Sequence, residues 1–294
     1  MKRKTINTVL AKKFNQFLGS IKDQEVRKLV SKNTIITGGC IPSMFQGEQV
    51  NDYDMYFTNY ETVVAVANYY IRSIPDATVD LNTPERVKIK VQSAGISDAG
   101  GIGNNYKYFE QDRDPNTTDA IKYVDKAMEQ IEEGDKKPPY STVFLSSNAI
   151  TLSNSVQLIL RFFGSPDEIH KNYDFLHCTG YWTSKDKKLV MPEGALEALF
   201  TKELRYVGSL YPVCSVIRLR KFIKRGYTIN AGQMLKMCMQ ISALDLTDVG
   251  VLEDQLTGVD VAYFGEVIEL LKEKVDGGKQ IDSAYLIEVI DRIF

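Results

Sequence analysis

The stretch Ile35-Ile36-Thr37-Gly38-Gly39, followed by Asn51-Asp52-Tyr53-Asp54-Met55-Tyr56-Phe57, decides how this chain is read. Ile35-Ile36-Thr37 has the β-branched character of a short strand and Gly38-Gly39 that of a tight turn. Pro42 stands where a helix would begin, since proline suits the first helical turn. A strand, a glycine turn and a helix start in that order leave bare backbone N–H groups on which a phosphate can rest. In the second stretch, alternation sends Asp52 and Asp54 to one face and Tyr53, Met55 and Phe57 to the other, toward a core. Two carboxylates so placed hold a divalent cation through hard oxygen ligands.

The register of Gly38, Gly39, Gly47, Asp52 and Asp54 resembles the head-domain signature of the polymerase-β-like nucleotidyltransferase superfamily, in particular the run found in tRNA CCA-adding enzymes and bacterial poly(A) polymerases. That family resemblance implies a further carboxylate on a neighbouring strand, where one metal would activate the attacking hydroxyl while another holds the leaving phosphates. Residues 156–163 read as a strand, Ser165-Pro166-Asp167-Glu168-Ile169-His170 as an N-capped helical start, and 173–178 as the next strand, with Asp174 its one carboxylate. Asp80, in Ala77-Thr78-Val79-Asp80-Leu81, is the rival. Asn82-Thr83-Pro84 after it reads as a turn leading out of a strand, which favours Asp174.

Where CCA-adding enzymes and poly(A) polymerases carry an Arg-Asp pair after the glycines, this chain has Pro42-Ser43, a departure that bears on the RNA substrate. The strand, Gly-Ser-Pro turn, short helix and Asp174 segment is similar to phage-encoded nucleotidyltransferase-like proteins. The resemblance implies an α+β fold, a mixed sheet with flanking helices followed by an all-helical C-terminal domain. It implies Mg²⁺ or Mn²⁺ on Asp52, Asp54 and Asp174, and a nucleoside triphosphate on Gly38 and Gly39 with Ser43 adding a hydrogen bond. The expected reaction moves a nucleoside monophosphate onto an acceptor hydroxyl, nucleic acid being favoured over protein.

Charge is uneven along the chain although the net value is only −2. Residues 1–32 are basic and amphipathic around Val9, Leu10, Phe14, Phe17, Leu18 and Ile21; 202–236 is basic again, and from Asp245 to Asp291 the chain turns acidic. In the helix expected over Val213–Arg225, Arg218, Lys221 and Arg225 share one face and Val216, Leu219 and Ile223 an apolar one, with Gly226 as its C-cap. The basic face is the candidate for phosphate, since arginine's planar fork donates two hydrogen bonds at once; a merely solvated face is the plainer reading.

At 294 residues and 44% hydrophobic content the chain holds one large or two ordinary domains with packed cores. No run of eighteen apolar residues exists, and Met1-Lys2-Arg3-Lys4 leads into polar residues, so a soluble cytoplasmic protein, in the host cytoplasm if phage-encoded, is expected. Cys40, Cys178, Cys214 and Cys238 show no CxxC spacing and histidines number two, which argues against zinc; adjacent His177 and Cys178 would face opposite ways on a strand.

Helical spacing covers 60–74, a half-exposed strand 86–91, and strands resume at 143–145 and 150–152, the sheet ending near Tyr181-Trp182. Between about 92 and 140 composition shifts to an insertion. Gly100-Gly101-Ile102-Gly103-Asn104-Asn105 within it lacks the Gly-Lys-Ser/Thr of a phosphate loop. Helices are expected at 193–206, 213–225, 231–241, 264–275 and 283–294. The expected division is a catalytic domain over 1–190 and a helical domain over 191–294. A non-catalytic module binding nucleic acid or serving as a phage structural protein is the alternative, and a toxin or antitoxin acting on a protein or tRNA is a third reading.

Overall fold

The structure, a computed structural model, describes residues 1–72, 74, 78–83, 86–90, 138–145, 148–256 and scattered positions between 274 and 288. The first helix, α1 (Arg3–Ser20), buries Ile6, Leu10, Phe14 and Phe17 at spacings of three and four, the stripe a helix turns to a core. Helix α2 (Gln24–Asn33) starts on Asp23, whose side chain accepts from the Glu25 and Val26 N–H groups. Strand β1 (Thr34–Thr37), helix α3 (Cys40–Gln46), strand β2 (Tyr53–Phe57) and helix α4 (Tyr60–Ile71) follow. A separate hairpin of β3 (Thr78–Thr83) and β4 (Arg86–Lys90) comes next, then β5 (Thr142–Leu145), β6 (Ala149–Leu152) and β7 (Val156–Phe163). Helix α5 (Pro166–His170) opens on a capping box in which Ser165 and Glu168 satisfy each other's backbone N–H. A 3₁₀ turn (Leu176–Cys178), β8 (Tyr181–Thr183), β9 (Lys188–Val190), α6 (Ala195–Thr201), α7 (Pro212–Lys224), α8 (Ala231–Ser242) and α9 (Val249–Leu256) complete the described elements.

Seven strands form one mixed sheet in the order β5-β6-β7-β2-β1-β8-β9. Strand β2 pairs antiparallel with β1 and parallel with β7. The α+β class with a mixed sheet and flanking helices is therefore the one observed. Ile36, Met55, Leu158 and Trp182 are register partners across four strands and lie in one buried cluster with the apolar stripe of α1. Phe14 of α1 meets Trp182 at 5.3 Å between ring centroids. The alternate positions Ile35, Thr37, Asp54 and Tyr56 point to the opposite face.

Several expectations are corrected. Residues 173–178 are not a strand: Phe175 makes an isolated bridge to Tyr206 and Leu176–Cys178 turn as a 3₁₀ helix. The sheet continues past Tyr181-Trp182 through β9. The helix expected over 193–206 stops at Thr201, because Lys202 adopts φ 53°, outside any helix. Thr78–Thr83 is a strand, but one of the two-stranded hairpin, so Asp80 is not on the main sheet. The insertion at 92–140 and the helices at 264–275 and 283–294 fall outside the described residues save for a few positions. Among the described residues no helix is long and apolar enough to cross a membrane.

The described residues form two compact units: one of 1–90, 138–171 and 176–201, holding the seven-stranded sheet, and one of 172–175 and 202–288, holding α7, α8 and α9.

Candidate functional site

Thr37, the last residue of β1, is the register partner of Asp54 on β2. The antiparallel pairing thus brings the turn that follows β1 to the end of the sheet where the two aspartates enter β2. Gly38 makes the turn with φ 89°, a left-handed backbone that glycine adopts without strain. Gly39 is the N-cap of α3 with φ −62° and ψ −25°. A Cβ added at Gly39 would meet no atom within 4 Å, so the space beside this backbone is open. Cys40, the first residue of α3, is 2% exposed. Burial pushes its thiol well above the usual cysteine range, and the charges of Asp54 and then Asp52 push it further. Both carboxylates therefore act on the point where the glycine turn enters α3, and the thiol stays protonated beside them.

Gly47 serves the fold. It holds φ 76° as the left-handed cap of α3, with its N–H on the Met44 carbonyl and the Glu48 N–H on the Ser43 carbonyl. Helix α3 begins at Cys40 rather than Pro42, which carries Ser43 inward, where it is buried within the helix. On the neighbouring strand the residue level with Asp54 is Gln157 of β7, an amide where an acid was sought.

Sequence reasoning missed two side chains at this turn. Thr37 is fully buried; its hydroxyl donates to the Gly180 carbonyl at 2.8 Å and lies 2.9 Å from His170 Nε2. Burial holds His170 down at about 4, with Asp167 pulling the other way, so the ring is neutral at physiological pH. It packs against Tyr181 at 5.7 Å between centroids. No local pattern singles out His170, which reads as the end of a short helix; the contact with Thr37 spans 133 positions of sequence.

Asp174 and Arg218, expected to serve metal and nucleotide, bind each other. Asp174 Oδ2 accepts from Arg218 Nη1 at 2.8 Å, and its Oδ1 accepts from the Ser215 hydroxyl at 2.5 Å, with the Asp174 side chain 8% and the Arg218 side chain 21% exposed. Tyr206 is raised mainly by burial, and Asp174's charge adds to this. The face assignment on α7 holds only in part as a result, with Lys221 exposed and Leu219 half-buried. Arg218 turns inward to the carboxylate, while Val216 and Ile223 are 45% and 48% exposed. Lys221 is exposed, and Arg225 caps α7 with its carbonyl accepting from Lys202 Nζ at 3.0 Å. Gly226 ends that helix as expected, at φ 81°. Gly38, Gly39, Ser43, Asp52 and Asp54 belong to the sheet unit, and Asp174, Arg218, Lys221 and Arg225 to the helical unit. Among the described residues no group of three His, Cys, Asp or Glu side chains is placed to hold a metal ion.

The sequence profile of the Gabija anti-defense 2 family matches residues 8–202, a span that includes the glycine turn, both aspartates and His170. The chain belongs to the Gabija anti-defense 2 family. This member is 20% identical over 264 residues to "Gabija anti-defense 2" of Bacillus phage SPbetaL7, covering 88% of this chain and 50% of that protein. It thus spans about half the length of the curated relative it matches. Solved structures similar to this family member include CCA-adding enzymes. The Bacillus stearothermophilus enzyme in complex with CTP aligns at TM-score 0.40 and 12% identity, over 87% of this chain and 51% of that one. The Thermotoga maritima enzyme complexed with tRNA aligns at TM-score 0.39 and 12% identity, over 88% and 53%.

Proposed function

We propose that the sheet unit is a metal-dependent nucleotidyltransferase that moves a nucleoside monophosphate from a nucleoside triphosphate onto an acceptor hydroxyl. The observation that carries this reading is the Thr37–Asp54 register, which puts the Gly38-Gly39 turn and the Asp52/Asp54 carboxylates at one end of the sheet. Asp52 and Asp54 are hard oxygen donors of the kind Mg²⁺ and Mn²⁺ take, and the protonated Cys40 thiol beside them offers no competing thiolate. On this reading these two aspartates hold the metal, and the bare backbone of Gly39 faces the triphosphate. The metal, when bound, lowers the pKa of the acceptor hydroxyl and offsets charge on the leaving phosphates. The acceptor oxygen forms a bond to the α-phosphorus, the bond to pyrophosphate breaks, and the hydroxyl proton passes to solvent base. Asp174, with both oxygens engaged by Ser215 and Arg218, is assigned here to the fold of the helical unit. Exposed Lys221 remains the candidate for a polyanion.

The family's name sets Gabija defence as the process in which the acceptor, nucleic acid or protein, is to be sought. Incubation with each labelled nucleoside triphosphate, Mg²⁺ or Mn²⁺ and total host RNA and protein, comparing wild type with Asp54→Asn, tests the reading. Transfer by the wild type alone is expected; equal transfer by Asp54→Asn would refute the role of the aspartates. A second reading, nucleotide binding without transfer, is favoured by Gln157 standing level with Asp54 on β7. It predicts metal-dependent nucleotide binding with no labelled product.

A further inference from the structure

The Thr37 hydroxyl carries one proton, and that proton lies on the Gly180 carbonyl. The 2.9 Å contact with His170 is therefore made by Nε2–H donating to Thr37 Oγ1, which sets the tautomer of the ring. The bond uses a proton that both the neutral and the charged imidazole possess. The acceptor at the far end is also held in place. A Cβ at Gly180 would stand 2.6 Å from Met191 Sδ and 3.2 Å from Ile41 Cγ2, so this backbone is pressed against the side chain of an α3 residue. A chain of hydrogen bonds thus runs from the end of α5, through the last residue of β1, to the backbone just before β8. Its middle member is the residue immediately before Gly38.

We propose that His170 is a positioning residue of the nucleotide site: its Nε2–H, acting through Thr37 Oγ1, fixes how the chain enters the Gly38-Gly39 turn and so the direction of the N–H groups that face the triphosphate. This rests on the reading of that turn as a nucleotide site. A histidine present only to fill space would be replaced equally well by any side chain of its volume. Glutamine places an N–H near the position of Nε2, whereas leucine fills the space without a donor.

Binding of each of the four nucleoside triphosphates in the presence of Mn²⁺, followed by calorimetry on the full chain, tests this without an acceptor. For whichever nucleotide the wild type binds, His170→Leu weakens affinity roughly three- to tenfold, the range that one well-placed hydrogen bond supports. His170→Gln stays within about twofold, Thr37→Val weakens as much as His170→Leu, and the double variant is no weaker than either, as expected of one coupled element. Thermal unfolding of each variant separates loss of fold from loss of binding. If His170→Leu fails to fold, Thr37→Val against Thr37→Ser carries the same comparison. Wild-type affinity in folded His170→Leu, or equal weakening by Leu and Gln, overturns this proposal and leaves the nucleotide site standing. No binding by the wild type overturns both.

Discussion

Gly38 and Gly39 adjoin in sequence and differ in what they do. Gly38 occupies φ 89°, which a Cβ makes unfavourable, while Gly39 has an ordinary helical backbone beside open space. Gly38→Ala is therefore expected to lower stability by about 1 kcal/mol or more, read by chemical denaturation. Gly39→Ala should leave stability unchanged or slightly raised, yet weaken nucleotide binding by crowding the backbone that faces the triphosphate. Loss of stability at Gly39 with binding intact would reverse the assignment. The sequence carried the glycine pair and the aspartates plainly, because turn residues and alternation are local properties. It was silent on His170 and Thr37, whose roles depend on a side-chain contact between distant strands and helices.

At the scale of the element, α7 shows where periodicity misleads. The spacing of Arg218, Lys221 and Arg225 was legible, and the bounds were so to within a residue at each end, the cap being Arg225 and Gly226 the left-handed residue after it. Which residues turn inward was not, because a charged residue goes inside once a carboxylate waits for it, as Asp174, itself held by the Ser215 hydroxyl, does for Arg218. Arg218→Ala is expected to cost about 3 kcal/mol, since it strands a nearly buried carboxylate. Ile223→Lys on the outward face should change stability by less than about 0.5 kcal/mol. Urea denaturation of the two variants decides it; the opposite ranking would restore the face assignment read from sequence. The 173–178 segment fails for a related reason: its aromatic and apolar residues look like a strand, but Asp174 is drawn to α7 and the chain turns directly after Phe175.

For the whole molecule, proton uptake on unfolding gives a measurable signature of the buried site. His170 titrates at about 4 when folded and near 6.5 when unfolded. Below 6.5 the unfolded chain binds the additional proton, so the stability that His170 contributes is complete above 6.5 and is lost as pH falls toward about 4. The gap between those values caps the contribution at about 3 kcal/mol. His170→Gln should flatten the difference in stability between pH 7.5 and pH 5 relative to the wild type, as measured by denaturant titration at each pH; unchanged slopes would show that the ring is solvated.

What could be read from the amino-acid sequence without the fold is local: the amphipathic stripe of α1, the β1 turn with its two glycines, the alternation of β2 and the capped start of α5. Those follow from backbone preference and short-range periodicity, which act between residues a few positions apart. The folded chain alone reveals that β2 pairs parallel with β7, that Asp54 stands level with Thr37 and Gln157, that Arg218 belongs to Asp174, and that His170 reaches Thr37. Each of these is a contact between residues remote in sequence, chosen by burial and hydrogen-bond satisfaction across the fold rather than by any property the segments carry alone.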